Sequence, residues 1–355
     1  MRIVQIVNSL NYGDGVCNDV LNKNNLLKKL GYNTLIYARY HQTECLDLYN
    51  SIEDFRAEPT DIILHHYAGK SYVQDEVMAS ECVKVLIYHN ITPPEFFDVL
   101  SDEYTFCMDG IDEVKKIAKD YNYILGVSQF NLDNLIKLGI QGDMDVIPNM
   151  VCFDNLKPYK LKNAEREKLN RKNFLFVGRI APNKKQEDVI SIFNYYYCNI
   201  NADSKLTFVG NYAGQEQYYN TITEHLSSLR CCGNVEFTGK VSDDELYNHY
   251  SEADIFICMS EHEGFGIPLV ESMYCGIPTI AYDSCAVKST MGGAGVLVLD
   301  KQPEKIAKLC HTILTRNEIL DSIIQKQNSR VEAFSEEKIS EKLKNLIIKW
   351  SKGSI

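Results

Sequence analysis

The sequence contains no run of about 18 apolar residues, the length a membrane-spanning helix needs. Its first residues, Met1-Arg2-Ile3-Val4-Gln5-Ile6-Val7, read as a strand and lack the small-residue cleavage site of a secretory signal. A cytoplasmic chain is expected, peripheral at most to the inner face of a membrane. The twelve cysteines form no C-x2-C pair, and the neighbours Cys231 and Cys232 could hardly bridge each other without strain. Reduced thiols are therefore expected, with neither a disulfide framework nor a zinc site. Positive charge is also short. The formal net charge is -11, and residues 1–155 hold 12 Lys and Arg against 23 Asp and Glu, so the N-terminal part carries the whole excess. This argues against nucleic acid as a partner and leaves no broad basic patch for anionic lipid, although a local, weak membrane-surface contact stays open. With 355 residues, 45% of them hydrophobic, the chain has material for two domains with cores of their own.

What is present is organised around residues 253–276. Ala253-Asp254-Ile255-Phe256-Ile257-Cys258-Met259 is short, apolar and partly β-branched, as suits a buried parallel strand. After the loop Ser260-Glu261-His262-Glu263-Gly264-Phe265-Gly266, Pro268 is pre-set for the first helical position. Leu269, Val270, Met273 and Tyr274 form one apolar stripe, and Gly276 with Pro278 stops the helix. The N–H groups of Phe265, Gly266 and Ile267 then point from a helix N-terminus, where the macrodipole favours an anion, and glycines at 264 and 266 allow close approach. A phosphate suits that position. Glu263 and Glu271 flank it, and since carboxylates repel phosphate, hydroxyl groups of the same ligand are their natural partners. The bland alternative is a capped helix carrying two solvated Glu.

The rest of the chain repeats this rhythm. Arg2 to Ser9 is a strand, the loop Tyr12-Gly13-Asp14-Gly15-Val16 opens a helix that stops at Gly31, and Asn33 to Arg39 continues the sheet. Asp14 suits either a hydroxyl partner or the cap of that helix. Asp61 to Leu64 is a strand opening into the loop His65-His66, whose side chains point different ways and so make a poor metal pair. Val83 to Tyr88 delivers His89-Asn90 at the same sheet edge, where ligands of open α/β sheets gather. With an ordinary pKa near 6.5, His89 could donate a proton or polarise a hydroxyl; a purely structural histidine is the alternative. Lys115, Lys116 and Lys119 lie on a solvated helix face over Asp112 to Asp120. Tyr123 to Ser128 is a strand, Asn131 to Leu138 a helix, and Asp143-Met144-Asp145 reads as a turn before the strand Val146 to Pro148. Residues 151–172 read as a polar linker. Strands over 173–178, 206–210, 234–241, 279–283 and 295–298 then alternate with helices, and a terminal helix spans 335–352. The fold class is α/β, with two doubly wound Rossmann-like domains, over 1–155 and 156–334.

Glu263 to Glu271, within E-G-F-G-I-P-L-V-E-S-M, resembles the E-x7-E signature of retaining glycosyltransferases of family four, which have the GT-B fold. Gly178-Arg179-Ile180-Ala181-Pro182-Asn183-Lys184 is similar to that family's G-R-x4-K, and Ile147-Pro148-Asn149 to its P-N-G, with Met150 in place of Gly. The resemblance implies that the two domains face a central cleft and that the terminal helix packs back on the first. It implies a nucleoside-diphosphate sugar as donor, GDP-mannose being the first guess, and a glycan or lipid-linked glycan as acceptor, as in bacterial surface polysaccharide synthesis. Arg179 and Lys184 would grip the diphosphate, Glu263 would meet the transferred sugar, Glu271 the ribose, and His89 the reacting sugar. Gly13, Asp14 and Gly15, together with Gly178, would line the donor, Lys240 and Val241 would present backbone to the base, and Gly264 to Ile267 would supply amides. No metal or other cofactor is implied as essential. Two features depart from the family: Lys185 stands where many relatives have Gly, and Ala286-Val287-Lys288-Ser289 replaces A-V-P-E. A hydrolysing epimerase of the same fold, and a non-catalytic nucleotide-sugar-binding protein, are the alternatives; donor, acceptor and oligomeric state are left open.

Overall fold

A computed structural model describes residues 1–165 and 171–352. Two compact units are present, one of Met1–Cys152 with Phe334–Ile355, the other of Phe153–Ala333.

The first unit holds β1 (Arg2–Leu10), β2 (Asn33–His41), β3 (Asn50–Ser51), β4 (Ile62–Tyr67), β5 (Val83–Tyr88), β6 (Tyr123–Gly126) and β7 (Met144–Val146), in the order β3-β2-β1-β4-β5-β6-β7. Every neighbouring pair is parallel. The apolar runs seen in the sequence are the central strands, as expected where helices cover both faces. Order reverses between β1 and β4, so their carboxyl ends diverge into a crevice. Val4, Ile6, Ile63, Leu86, Tyr88 and Ile124 are among the residues of the main core.

The second unit holds β8 (Lys172–Val177), β9 (Ser204–Val209), β10 (Val235–Gly239), β11 (Ile255–Cys258), β12 (Thr279–Tyr282) and β13 (Val296–Val298), ordered β10-β9-β8-β11-β12-β13 and also parallel. Its core is strongly aromatic, with Phe174, Phe193, Tyr196 and Phe208 packed on Ile255 and Ile257. Order reverses between β8 and β11, which places the two strongest sequence motifs on adjacent strands.

Several expectations are corrected. Residues Phe153–Glu165 form a helix where a linker was expected. Packing explains it: Phe153 stacks on Tyr274 with ring centroids 4.3 Å apart, Lys160 lies over the same ring, and the Tyr159 hydroxyl donates to Asp244 at 3.0 Å. The remainder of the expected linker, 166–170, lies outside the described residues. The helix expected from Asp112 starts at Asp102, because the Ser101 side chain caps it by accepting from the Tyr104 N–H. His65 and His66 belong to β4 itself. Met144 and Asp145 lie in β7, and the two carboxylates of this D-x-D are paired with the terminal helix Glu336–Lys352, Asp143 with Lys349 and Asp145 with Lys342 at 2.9 Å. That helix also buries Ile347 and Trp350 in the first unit, so those two side chains do not serve a membrane, while Ile348 is exposed. Among the described residues no helix is long and apolar enough to cross a membrane.

Candidate functional site

In the second unit the carboxyl ends of β8 and β11 carry two loops that are tied together. Gly178 donates its N–H to Val209 O, Ile180 donates to Asn211 O, and a Cβ on Gly210 would sit 2.0 Å from Gly178 O, so the strand ends meet only because residue 210 is glycine. The buried Gln186 donates to Arg179 O at 3.1 Å and holds the far end of the turn. Asn183 joins the loops: its side-chain amide donates to His262 O at 3.2 Å and its carbonyl accepts the Glu261 N–H at 2.9 Å.

This anchoring brings Lys184 and Glu263 together at 2.7 Å, each side chain mostly buried. Arg179 leaves the same edge of β8 and is exposed to solvent. The residue after Lys184 is in the left-handed region, with Lys185 at φ 54° and ψ 50°, a conformation that favours glycine. Lys185 holds the strained geometry while its ammonium lies 3.5 Å from Glu261 and from Glu187. Lys185→Gly should therefore be more stable than Lys185→Ala by about 1 kcal/mol, since both lose the ion pairs and only alanine keeps the left-handed penalty. Urea titration of the two variants checks this.

The Gly264–Ile267 segment is shaped from the other side. The Ala286 N–H donates to Glu263 O at 3.2 Å, and Thr290 Oγ1 donates to Phe265 O at 2.6 Å. Ala286-Val287-Lys288-Ser289 thus leads into a short helix, Val287–Met291, that braces the loop despite its divergent sequence. Gly266, at φ 87°, caps the helix Ile267–Tyr274, with Pro268 as the second helical residue and not the first; a Cβ on Gly266 would lie 2.7 Å from the Leu269 side chain. Lys240 and Val241 follow β10, two strands away from β8.

Glu271 is in the second turn of that helix. Its carboxylate accepts from the Tyr250 hydroxyl at 2.7 Å, a partner that sequence reasoning missed because the two lie on different elements. Burial pushes the Glu271 pKa up to about 7, and the tyrosine hydrogen bond opposes this by favouring the ionised form. An acid raised from 4.5 binds its proton more tightly in the folded state, so it stabilises the fold below about pH 4.5, and that contribution is lost as pH rises toward 7. Tyr250→Phe should move the titration of Glu271 upward and so shift any ligand affinity that needs its carboxylate to higher pH. Nucleotide affinity measured from pH 5 to 9 tests this; an unmoved profile refutes it.

In the first unit, Gly13 is left-handed and Asp14 caps the helix Gly15–Lys29, its Oδ1 accepting from the N–H groups of Val16 and Cys17 at 2.9 and 3.1 Å. His89 follows β5, and its N–H donates to Tyr67 O at 2.9 Å. Burial depresses its pKa to about 4, which corrects the expectation of a proton donor near neutrality: the ring is a neutral imidazole there. Its Nε2 lies 2.9 Å from Nδ1 of His66. Beneath both rings is a pair absent from the sequence reading, Asp19 with Lys23, fully buried and four residues apart on one helix. Asp19, His66 and His89 have potential metal-ligating atoms within 4.8 Å of one another. Both Asp19 oxygens, however, are bound by the Lys23 ammonium, and the imidazoles bond to each other, so the Asp19 carboxylate already has its cation. His65 is turned the opposite way, bonded to the Tyr121 and Ser71 hydroxyls.

Two parallel sheets of Rossmann-like order, one bearing a basic turn beside a glycine-capped helix with two acidic residues, define a protein of the GT-B class. Solved structures agree on the fold. The Anabaena protein HepE, determined with UDP and glucose, superposes with a TM-score of 0.75 at 16% identity, covering 98% of this chain and 100% of that one. Sucrose-phosphate synthase from Thermosynechococcus elongatus gives 0.76 at 16% identity, covering 98% and 99%. Residues 159–330, nearly all of the second unit, match the family described as glycosyl transferases group 1. O-antigen chain mannosyltransferase B of Escherichia coli is 24% identical over 222 residues, which are 60% of this chain and 56% of that protein.

Proposed function

We propose that this chain is a retaining glycosyltransferase that moves a sugar from a nucleoside-diphosphate sugar to a hydroxyl of a glycan or lipid-linked glycan. The observation that supports the reading best is the Lys184–Glu263 pair, set beside a glycine-capped helix end that also carries the enclosed Glu271. Arg179 offers a planar fork and Lys184 a point charge to the diphosphate, and the helix end adds its dipole. As the bond from the anomeric carbon to the leaving oxygen lengthens, negative charge collects on the diphosphate, where these groups stabilise it. The departing phosphate oxygen then takes the acceptor's proton as the acceptor oxygen bonds the same face of the sugar, so no protein nucleophile is required. Glu263 orients the sugar hydroxyls, Glu271 the ribose diol and His89 the reacting sugar. With two side-chain cations for the diphosphate and the D-x-D carboxylates held by lysines, the reaction needs no essential metal.

The relationship to an O-antigen mannosyltransferase supports GDP-mannose as the first donor to try and a role in surface polysaccharide synthesis. The test is a thermal-shift screen of GDP, UDP and dTDP with their sugar conjugates, followed by product analysis with a glycan acceptor. Acceptor-dependent transfer with retained anomeric configuration is expected. Release of free nucleotide without acceptor would replace the reading by a hydrolysing epimerase, and binding without turnover by a sugar-nucleotide-binding protein.

A further inference from the structure

The carboxyl edge of the first sheet carries two exposed aromatic rings. Tyr40, near the end of β2, and Tyr72, in the loop after β4, are 53% and 43% exposed. Their rings meet edge to face with centroids 5.9 Å apart, and Tyr72 lies roughly parallel to the half-buried Phe106 at 6.4 Å. The loop that bears Tyr72 is tied at Lys70, Ser71 and Tyr72 alike. Asn8, near the end of β1, donates to Lys70 O at 2.6 Å and accepts the Tyr72 N–H at 2.8 Å. The Ser71 N–H donates to Glu113 at 2.7 Å, the Lys70 N–H to Phe106 O at 3.2 Å, and Arg39 Nε to Tyr72 O at 2.6 Å. The same loop lies directly on the helix Asp102–Ile117: a Cβ on Gly110 would be 2.5 Å from Gly69 C, and one on Gly69 would be 1.9 Å from the Phe106 ring. The backbone of Tyr72 is therefore fixed while its ring stays open to solvent, and a ring held in advance loses little freedom when a ligand covers it.

Charge narrows what that ligand is. The loops after β1, β2, β4 and β5, residues 11–14, 42–49, 68–73 and 89–101, hold Asp14, Glu44, Asp47, Glu95 and Asp98 against Lys70 alone. Lys70 is paired with Asp109 at 2.7 Å, and the nearby Arg39 with Glu53 and Glu76. An anionic glycan would meet repulsion here, and so would an anionic bilayer, although Leu46, Leu48, Val99 and Leu100 are exposed among the same acids. A neutral sugar fits: its C–H face packs against the negative face of an aromatic ring, and its hydroxyls donate to carboxylates at the rim. We propose that Tyr40 and Tyr72 form a stacking platform that holds a neutral glycan at this edge, where ligands of open α/β sheets gather. Its service as the acceptor site rests on the glycosyl-transfer reading, whereas its affinity for a neutral glycan does not.

Saturation-transfer difference NMR of the full chain without donor tests binding apart from turnover, using neutral manno-, gluco- and galacto-oligosaccharides and an oligogalacturonate as the anionic probe. At least one neutral oligosaccharide should bind, and the oligogalacturonate should not. Tyr40→Ala with Tyr72→Ala should weaken that binding about tenfold, while Tyr72→Phe, which keeps the ring, should stay within about twofold of the parent. Should the double variant unfold, Tyr40→Ala alone carries the test, with about threefold weaker binding expected. Unchanged affinity in the alanine variant, or no binding of any neutral oligosaccharide, overturns the platform. So does a parent that binds phosphatidylglycerol vesicles, or self-associates in sedimentation, and loses either property with the same substitutions, because the rings then serve a membrane or a second copy of the chain. If the glycan binds as expected and no donor supports transfer, the functional reading falls and the platform stands. Where transfer is found, the alanine variant should raise the acceptor KM about tenfold with the donor KM within about twofold, and an unchanged acceptor KM overturns the acceptor role.

Discussion

Lys184→Ala is expected to lower kcat/KM for the nucleotide-sugar donor by about 100-fold or more, with Glu271→Ala causing a loss of similar size. For lysine the reasoning is electrostatic. The ammonium is 2.7 Å from Glu263, and both side chains are largely buried, so on the proposed reading the pair would be exchanged for a phosphate partner inside a partly desolvated site. A charge-assisted hydrogen bond is worth roughly 1.5–3 kcal/mol, and it strengthens as the leaving group gains charge, which brings the transition-state loss to the two powers of ten stated. Alanine also leaves Glu263 without its counter-charge, facing the incoming diphosphate with the same sign. For Glu271 the loss is of a preorganised acceptor, held by the Tyr250 hydroxyl at 2.7 Å, and it should appear mainly as weaker nucleotide binding. Steady-state kinetics with nucleotide titration separates the two. Activity within a few-fold of the parent for both variants would sink the mechanism, provided thermal unfolding shows them folded.

Lys23→Met should destabilise the first unit by about 3–5 kcal/mol, the usual cost of leaving a buried charge unpaired. Lys23 and Asp19 have no exposed side-chain surface, and Asp19 has further duties, accepting the Met150 N–H at 2.7 Å. Burial works against the Lys23 ammonium, and Asp19 is what sustains it. Asp19→Asn combined with Lys23→Met keeps an acceptor for Met150 and removes both charges, so most of the lost stability should return. Denaturant unfolding of parent, single and double variants gives the comparison. A single variant within about 1 kcal/mol of the parent would show that the pair is better solvated than its packing indicates.

How much could be read in advance differs between the two levels of organisation. Strands such as Val83–Tyr88 and Ile255–Cys258 were legible because a strand buried on both faces must be apolar throughout, and the helix after Gly266 was legible because glycine and proline punctuate the backbone locally. The helix Phe153–Glu165 was not, since its residues are polar and Pro158 lies within it; contacts with Tyr274 and Asp244, more than 80 residues on, make it a helix. At the candidate site the residue types were readable and their states were not. Glu271 reads as a carboxylate and His89 as a group titrating near neutrality, yet burial, with Tyr250 at the one and His66 at the other, both far off in sequence, decides how each is protonated or oriented.

The sequence alone determined the alternation of strands and helices and the chemistry waiting at the strand ends, because hydrophobic period, turn residues and helix caps act over a few neighbours. Only the tertiary structure decided that Lys184 meets Glu263, that Lys23 lies buried against Asp19 and that His66 and His89 share a hydrogen bond. These depend on which distant segments exclude water from one another, and desolvation, unlike backbone propensity, is a property of the packed whole.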